Sequence, residues 1–133
     1  MTREDKHLLL ITLCGMLPYG LFCKTDKGDG KLISIECSAG EVLAYVDFGY
    51  PQAEEYDLND GDTVKPYLRP MSSMTEEERR EYDKLIAKCI YDPEAYFFDN
   101  YDRLYDWLNS HHFDYRGLIE KSLAIVAPED MYK

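Results

Sequence analysis

Apolar residues change their spacing near the middle of the chain. Close to the N-terminus they are dense. Leu8, Leu9, Ile11 and Cys14 mark one face, and Leu10 and Leu13 widen it. This predicts a helix buried on more than one side. Thr2 with Asp5 three residues later has the form of a capping box, and Gly15 and Pro18 are the expected stop. The period then shortens to two. "GLFCKT" is followed by "DKGDG", whose glycines suit a hairpin loop. "KLISIEC" alternates imperfectly, because Leu32 falls opposite Ile33 and Ile35. "EVLAYVDF" alternates cleanly, with Val42, Ala44, Val46 and Phe48 on one face. These runs predict a small antiparallel meander. "GYPQAEEYDLNDGD" reads as a polar loop. In "TVKPYLRPM", Pro66 and Pro70 speak against a central strand, so a short edge strand leading into an extended arm is expected.

The second half follows a helical period. Ser73 or Thr75 can cap a helix, with Glu76 or Glu78 three residues on, and Tyr82, Leu85, Ile86 and Cys89 form its stripe. Asp92-Pro93 marks another helix start, and Leu104, Trp107, Leu108 and His111 form a further stripe. "LIEKSLAIVAPEDMYK" fits either a short helix or a strand returning to the sheet. The predicted fold is α+β: an N-terminal helix, a small antiparallel sheet of three to four strands, then a C-terminal helical half. With 133 residues it is expected to form one domain, 1–133, with lobes 1–70 and 71–133 meeting near "RPMSSMT".

Charge narrows the function classes. The chain has 26 acidic and 15 basic residues, a formal charge of −11, so phosphate backbones are repelled and direct nucleic-acid binding is not expected. Such a surface serves solubility, suits a basic protein partner, or imitates nucleic acid. "HLLLITLCGML", about 11 residues, is too short for a bilayer, which needs roughly 20. "TRED" precedes it where a signal peptide would carry basic residues. No membrane association and a cytoplasmic location are expected. Cys14, Cys23, Cys37 and Cys89 form no CxxC pair, which argues against a zinc finger; they read as small buried hydrophobes in a reducing compartment.

"LNSHHFDYRGLIEK", residues 108 to 121, holds the densest candidate chemistry. His111 and His112 are adjacent, so on a helix they point about 100° apart and rarely share a metal. No third ligand is near. Ser110 and His111 lack the separated elements from which a triad is assembled. Asp114 can cap a following turn, Gly117 can supply a positive φ, and Phe113 and Leu118 can anchor both sides. Whether His112 and Arg116 brace that turn or face a partner stays open. "DLNDGD" fails the calcium-loop pattern, because position 5 from Asp57 is Gly61 and position 12 is Leu68. No phosphate-binding glycine loop and no nucleophile elbow occur. Neither a cofactor nor a metal is expected, and no catalytic residue is assigned.

"IYDPEAYFFDNYDRLYDW" sets tyrosines beside acids, in a chain with 12 tyrosines. Rings at helical spacing fit a core; rings beside acids also fit a contact surface. The candidate partner-binding residues are Tyr96, Tyr101, Asp102, Tyr105, Asp106, His112 and Arg116.

"LLLITLCGMLPYG", "VKPYLRPMSSMTEEE" and "WLNSHHFDYRGLIEKSLAIVAPEDMY", about half of the chain, resemble a family of small proteins of Bacteroides-type gut bacteria and their phages and mobile elements. The resemblance brings no activity and no functional residue with it. It implies a bacterial or phage cytoplasmic protein, with an accessory role around mobile DNA as one expectation. The expected function is therefore non-enzymatic protein binding, as an adaptor. The alternative is a phage or mobile-element inhibitor, acting as an acidic nucleic-acid mimic or a small-ligand trap.

Overall fold

Thr2 starts the first helix, α1 (Arg3–Met16), as the capping pattern predicts. Its hydroxyl accepts the Asp5 N–H at 3.0 Å, and the Asp5 carboxylate accepts the Thr2 N–H at 3.3 Å. This computed structural model describes residues 1–59, 64–91 and 97–133. Gly15 does not end α1. It lies inside the last turn, where an added Cβ would stand 3.2 Å from the Asn109 amide nitrogen. Pro18 enters a 3-10 turn, Leu17–Tyr19, which hands the chain to the sheet.

Among the described residues, six strands form one sheet: β1 (Phe22–Thr25), β2 (Gly28–Ser38), β3 (Glu41–Asp47), β4 (Glu54–Asp57), β5 (Lys65–Leu68) and β6 (Ile125–Val126). Their order is β4-β3-β2-β1-β5-β6, antiparallel except for the parallel β5–β6 pair. The α+β class is as expected. The sheet is larger than the three to four strands expected, for two reasons. β4 lies inside the stretch read as a polar loop; its charged residues mask Tyr56, which is buried, as is Leu58 just beyond it. β6 resolves the ambiguous C-terminal segment as a returning strand.

β5 is not an edge strand; it lies between β1 and β6. Leu68 C=O accepts the Ala127 N–H at 2.8 Å, on the β6 side. Backbone groups alternate along a strand, so Pro66 also points to that side. Its missing N–H therefore removes nothing from the ladder with β1. The irregular alternation of β2 has a similar local cause. The register with β3 shifts between Leu32 and Ser34. Ile33 is the extra residue of this bulge and stays 48% exposed, while Leu32 and Ile35 both reach the core. Gly30 is required by close approach: an added Cβ would stand 2.9 Å from the Asp47 carbonyl oxygen.

The main core joins α1 to the sheet through Leu9, Leu13 and Met16 against Leu32, Ala44, Val46 and Tyr56, with Leu118 and Ala124 returning from the C-terminal segment. Each fully buried leucine contributes about 2 kcal/mol of apolar burial. A second cluster lies between α2 (Glu76–Tyr91) and α3 (Phe97–Ser110). It holds Cys89, Leu104, Leu108 and Phe113, with Tyr82, Leu85, Ile86 and Trp107 packed against it. Tyr115 touches both clusters. The expected helix start at Asp92-Pro93 lies outside the described residues.

The cysteines divide. Cys23 and Cys89 are buried as expected, but Cys14 and Cys37 are exposed, and all four are free. Cys14 falls on the flank of α1, about 100° from Leu13, and Cys37 lies near the hairpin end, beyond the core. No helix among the described residues is long and apolar enough to cross a membrane.

Candidate functional site

The turn after α3 is built on Arg69, which directly follows β5. Arg69 N–H donates to the His112 carbonyl at 2.7 Å, and Asp114 N–H donates to the Arg69 carbonyl at 2.8 Å. Residues 112–114 thus extend the sheet past the end of β1. Asp114 closes the next turn as predicted: its carboxylate accepts the N–H groups of Leu118 and Ile119 at 2.8 and 2.9 Å. Gly117 takes φ 77°, which a side chain would resist. Phe113 and Leu118 are fully buried on either side.

The Arg69 side chain lies 4.3 Å over the Phe113 ring and makes two hydrogen bonds, 2.8 and 2.7 Å, to the Glu78 carboxylate. Glu78 also completes the cap of α2. It accepts the Thr75 N–H at 3.0 Å, and its own N–H donates to the Thr75 hydroxyl at 3.1 Å. The Arg69 hydrogen bonds, against partial desolvation and with help from Thr75, hold the Glu78 carboxyl down to about 2.

Of the candidate contact residues, His112 faces the interior. It is 5% exposed and turned inward, with φ 59°. Nε2 lies 3.1 Å from the Tyr19 carbonyl, which can only accept, so Nε2 carries the proton. Nδ1 is then a bare acceptor, buried without a hydrogen-bond partner. The ring stacks on Tyr132, with centroids 3.6 Å apart and planes 6° from parallel. Burial pushes the His112 pKa down to about 4. His111 instead stacks on Trp107, and its Nδ1 lies 2.8 Å from the Trp107 carbonyl. Ser110 Oγ donates to that same carbonyl at 3.0 Å. Ser110 Oγ also lies 3.3 Å from His111 Nδ1, and both groups give their protons to the one Trp107 carbonyl.

Of the remaining candidates, Tyr101, Asp102, Tyr105 and Asp106 are on α3, and Arg116 lies in the turn that follows it. Asp102, Tyr105 and Asp106 are exposed; Tyr101 packs against the second cluster; Tyr96 lies outside the described residues. Tyr105 is 44% exposed, and its ring lies 5.7 Å from that of Tyr115. The exposed Arg116 reaches over Tyr115 at 4.9 Å, and the Tyr115 hydroxyl donates to Asn109 at 2.8 Å. Asp114 is occupied by the backbone donors of Leu118 and Ile119, and Arg116 turns to Tyr115 instead. Tyr105, Tyr115 and Arg116 therefore form one ledge beside Asp102 and Asp106. Asp99 shares that face by its spacing.

A separate groove of about 530 Å³ runs between Arg69, Glu78, His111, Val126, Glu129 and Tyr132. Arg69, Glu78 and Thr75 bond to one another there, and Ser73 Oγ donates to the Pro70 carbonyl at 2.6 Å. These groups converge on each other rather than on open space. Among the described residues, no three His, Cys, Asp or Glu side chains are grouped as a metal would require.

Sequence reasoning missed three contributors. Arg69 stood between two prolines and carried no pattern of its own. Tyr115 was legible only as part of a turn. Tyr132 had no local signal at all, since its partners are remote in the chain. No protein-family model, no curated protein and no solved structure matches this chain.

Proposed function

We propose that this protein is a non-enzymatic binding domain whose contact surface is the ledge of Tyr105, Tyr115 and Arg116 with the flanking Asp102 and Asp106. The observation that carries the reading is the pre-assembled ring pair, an exposed Tyr105 5.7 Å from a half-buried Tyr115 that Arg116 caps. Tyrosine and arginine are the side chains that most often anchor protein contacts, and rings already held in place lose little freedom on binding. The acids beside them, within a chain of charge −11, favour a partner that presents basic groups. The bacterial or phage setting suggested by the sequence resemblance fits an adaptor of this kind.

The test compares the full chain with Tyr105→Ala and Arg116→Glu as baits in quantitative pull-downs from source cells. Both changes are at exposed positions, so thermal midpoints should hold. Partner recovery should fall about tenfold or more, as for loss of an anchoring residue. Equal recovery with all three baits would remove the ledge from consideration.

A further inference from the structure

α1 covers only one face of the sheet. Ala44 and Val46 of β3 are buried on that side, so Asp47, next along the strand, points to the other. Strand register sets Phe22, Lys31 and Asp47 in one row across β1, β2 and β3 on this outer face. Asp29 shares the face, two residues before Lys31. The C-terminal segment runs alongside, held where Phe22 N–H donates to the Tyr132 hydroxyl. Between them opens a cleft of about 450 Å³. Phe22, Phe48, Pro128 and Met131 wall it, and Asp29 and Asp47 line it as well. Each carboxylate is steadied through one oxygen: Asp29 accepts the Tyr67 hydroxyl at 2.6 Å, and Asp47 accepts the Gly49 N–H at 2.8 Å. Lys24 and Lys31 are their cross-strand partners, yet among the described residues neither carboxylate is in an ion pair. Lys31 leans toward Gly20 instead, its ammonium 3.9 Å from where a Cβ would stand there.

We infer that this cleft seats a lysine side chain from an extended basic segment of a partner protein. The methylene stem of lysine suits the rings, the proline and the methionine, and its compact ammonium brings the charge to Asp29 and Asp47. Ring faces attract the same ammonium. What continues beyond the cleft favours a protein segment over a small amine. Tyr45 lies two residues before Asp47 on the same face. Its hydroxyl donates to Glu36 at 3.0 Å, and Glu55 is its direct cross-strand partner on β4. An extended chain repeats its side-chain direction every second residue, as β3 does. A lysine in the cleft therefore sets the residue two positions away over Tyr45, Glu36 and Glu55. This surface is separate from the ledge on α3, and its lysine chemistry does not rest on the ledge.

The experiment titrates an acetylated, amidated Ala-Lys-Ala-Lys-Ala peptide into the isotope-labelled full chain at low salt and follows the backbone amide shifts. Shifts should gather at Phe22, Lys31, Tyr45, Asp47, Phe48 and Met131. Asp29→Asn with Asp47→Asn keeps both hydrogen-bonding oxygens but removes two charges, and should weaken binding about tenfold. Asp102→Asn with Asp106→Asn removes the same charge from the ledge and should bind the peptide as the wild type does. Cadaverine carries the charge of the peptide without its backbone and should bind more weakly. Three outcomes overturn the proposal: shifts spread over the acidic surface or gathered at the ledge, equal weakening by both pairs of substitutions, or cadaverine bound as tightly as the peptide. The wild-type shift map decides by itself if the Asp29/Asp47 variant does not fold.

Discussion

The Tyr132 hydroxyl does a job usually done by backbone. Phe22 N–H donates to it at 3.1 Å, and it donates to the Tyr67 carbonyl at 2.7 Å. The β1–β5 register, Cys23 with Pro66 and Lys24 with Lys65, would next pair Phe22 with Tyr67. The oxygen stands between those two residues, spanning the place where the strands part. Burial raises its pKa, which keeps the proton it donates. Tyr132→Phe keeps the ring and its stacking on His112 but leaves Phe22 N–H and Tyr67 C=O without this link. The expected loss is about 1–3 kcal/mol in denaturant unfolding. A loss as small as that of an exposed substitution would mean that the strands close on each other without the hydroxyl.

Arg69 and Glu78 fasten three elements together: the end of β5, the start of α2 and the turn after α3. Glu78→Gln retains the size of the side chain but removes the charge beneath a half-buried guanidinium. A loss of roughly 2–3 kcal/mol is expected, and Arg69→Met should recover part of it, because the pair's worth lies partly in not leaving one charge alone. Losses that simply add when Glu78→Gln and Arg69→Met are combined would show two independent roles instead. The halves of this junction differ in legibility. The Thr75/Glu78 box was readable because a cap is local, and so was Asp114 with Gly117. The bond from Glu78 to Arg69 was not, since nothing in either segment names the other. The strands divide the same way. β3 announced itself by clean alternation. β4 did not, because only Tyr56 and Leu58 among its acids turn inward, and β5 was misplaced because the harm a proline does depends on which side its nitrogen faces. The ledge was half readable: Tyr105, Asp102, Asp106 and Arg116 stood out by composition, whereas the inward turn of His112 depends on a positive φ that the residue type does not announce.

The whole molecule should lose stability to acid in two stages. Folded His112 titrates at about 4, below its ordinary 6.5. Its contribution is complete above about pH 6.5 and drains away as pH falls toward 4, because the unfolded chain takes a proton that the folded one refuses. The full difference is about 3 kcal/mol. Glu78 titrates at about 2 when folded, below its ordinary 4.5, so its contribution is present above 4.5 and is lost below that. Urea unfolding at pH 7, 6 and 5 should therefore show a steady decline above the range in which the Glu78 contribution is lost. His112→Asn, which tolerates the positive φ, should flatten that first stage and leave the second. An unchanged slope would place the acid sensitivity elsewhere. The plug at Tyr132 carries one more consequence, for the order in which the chain acquires its shape. Phe22 waits for a group 110 positions later. A ribosome making this protein therefore holds a sheet with an unfinished seam until nearly the last codon of that span, and the seam is where nascent-chain chaperones would find backbone still wet and unpaired.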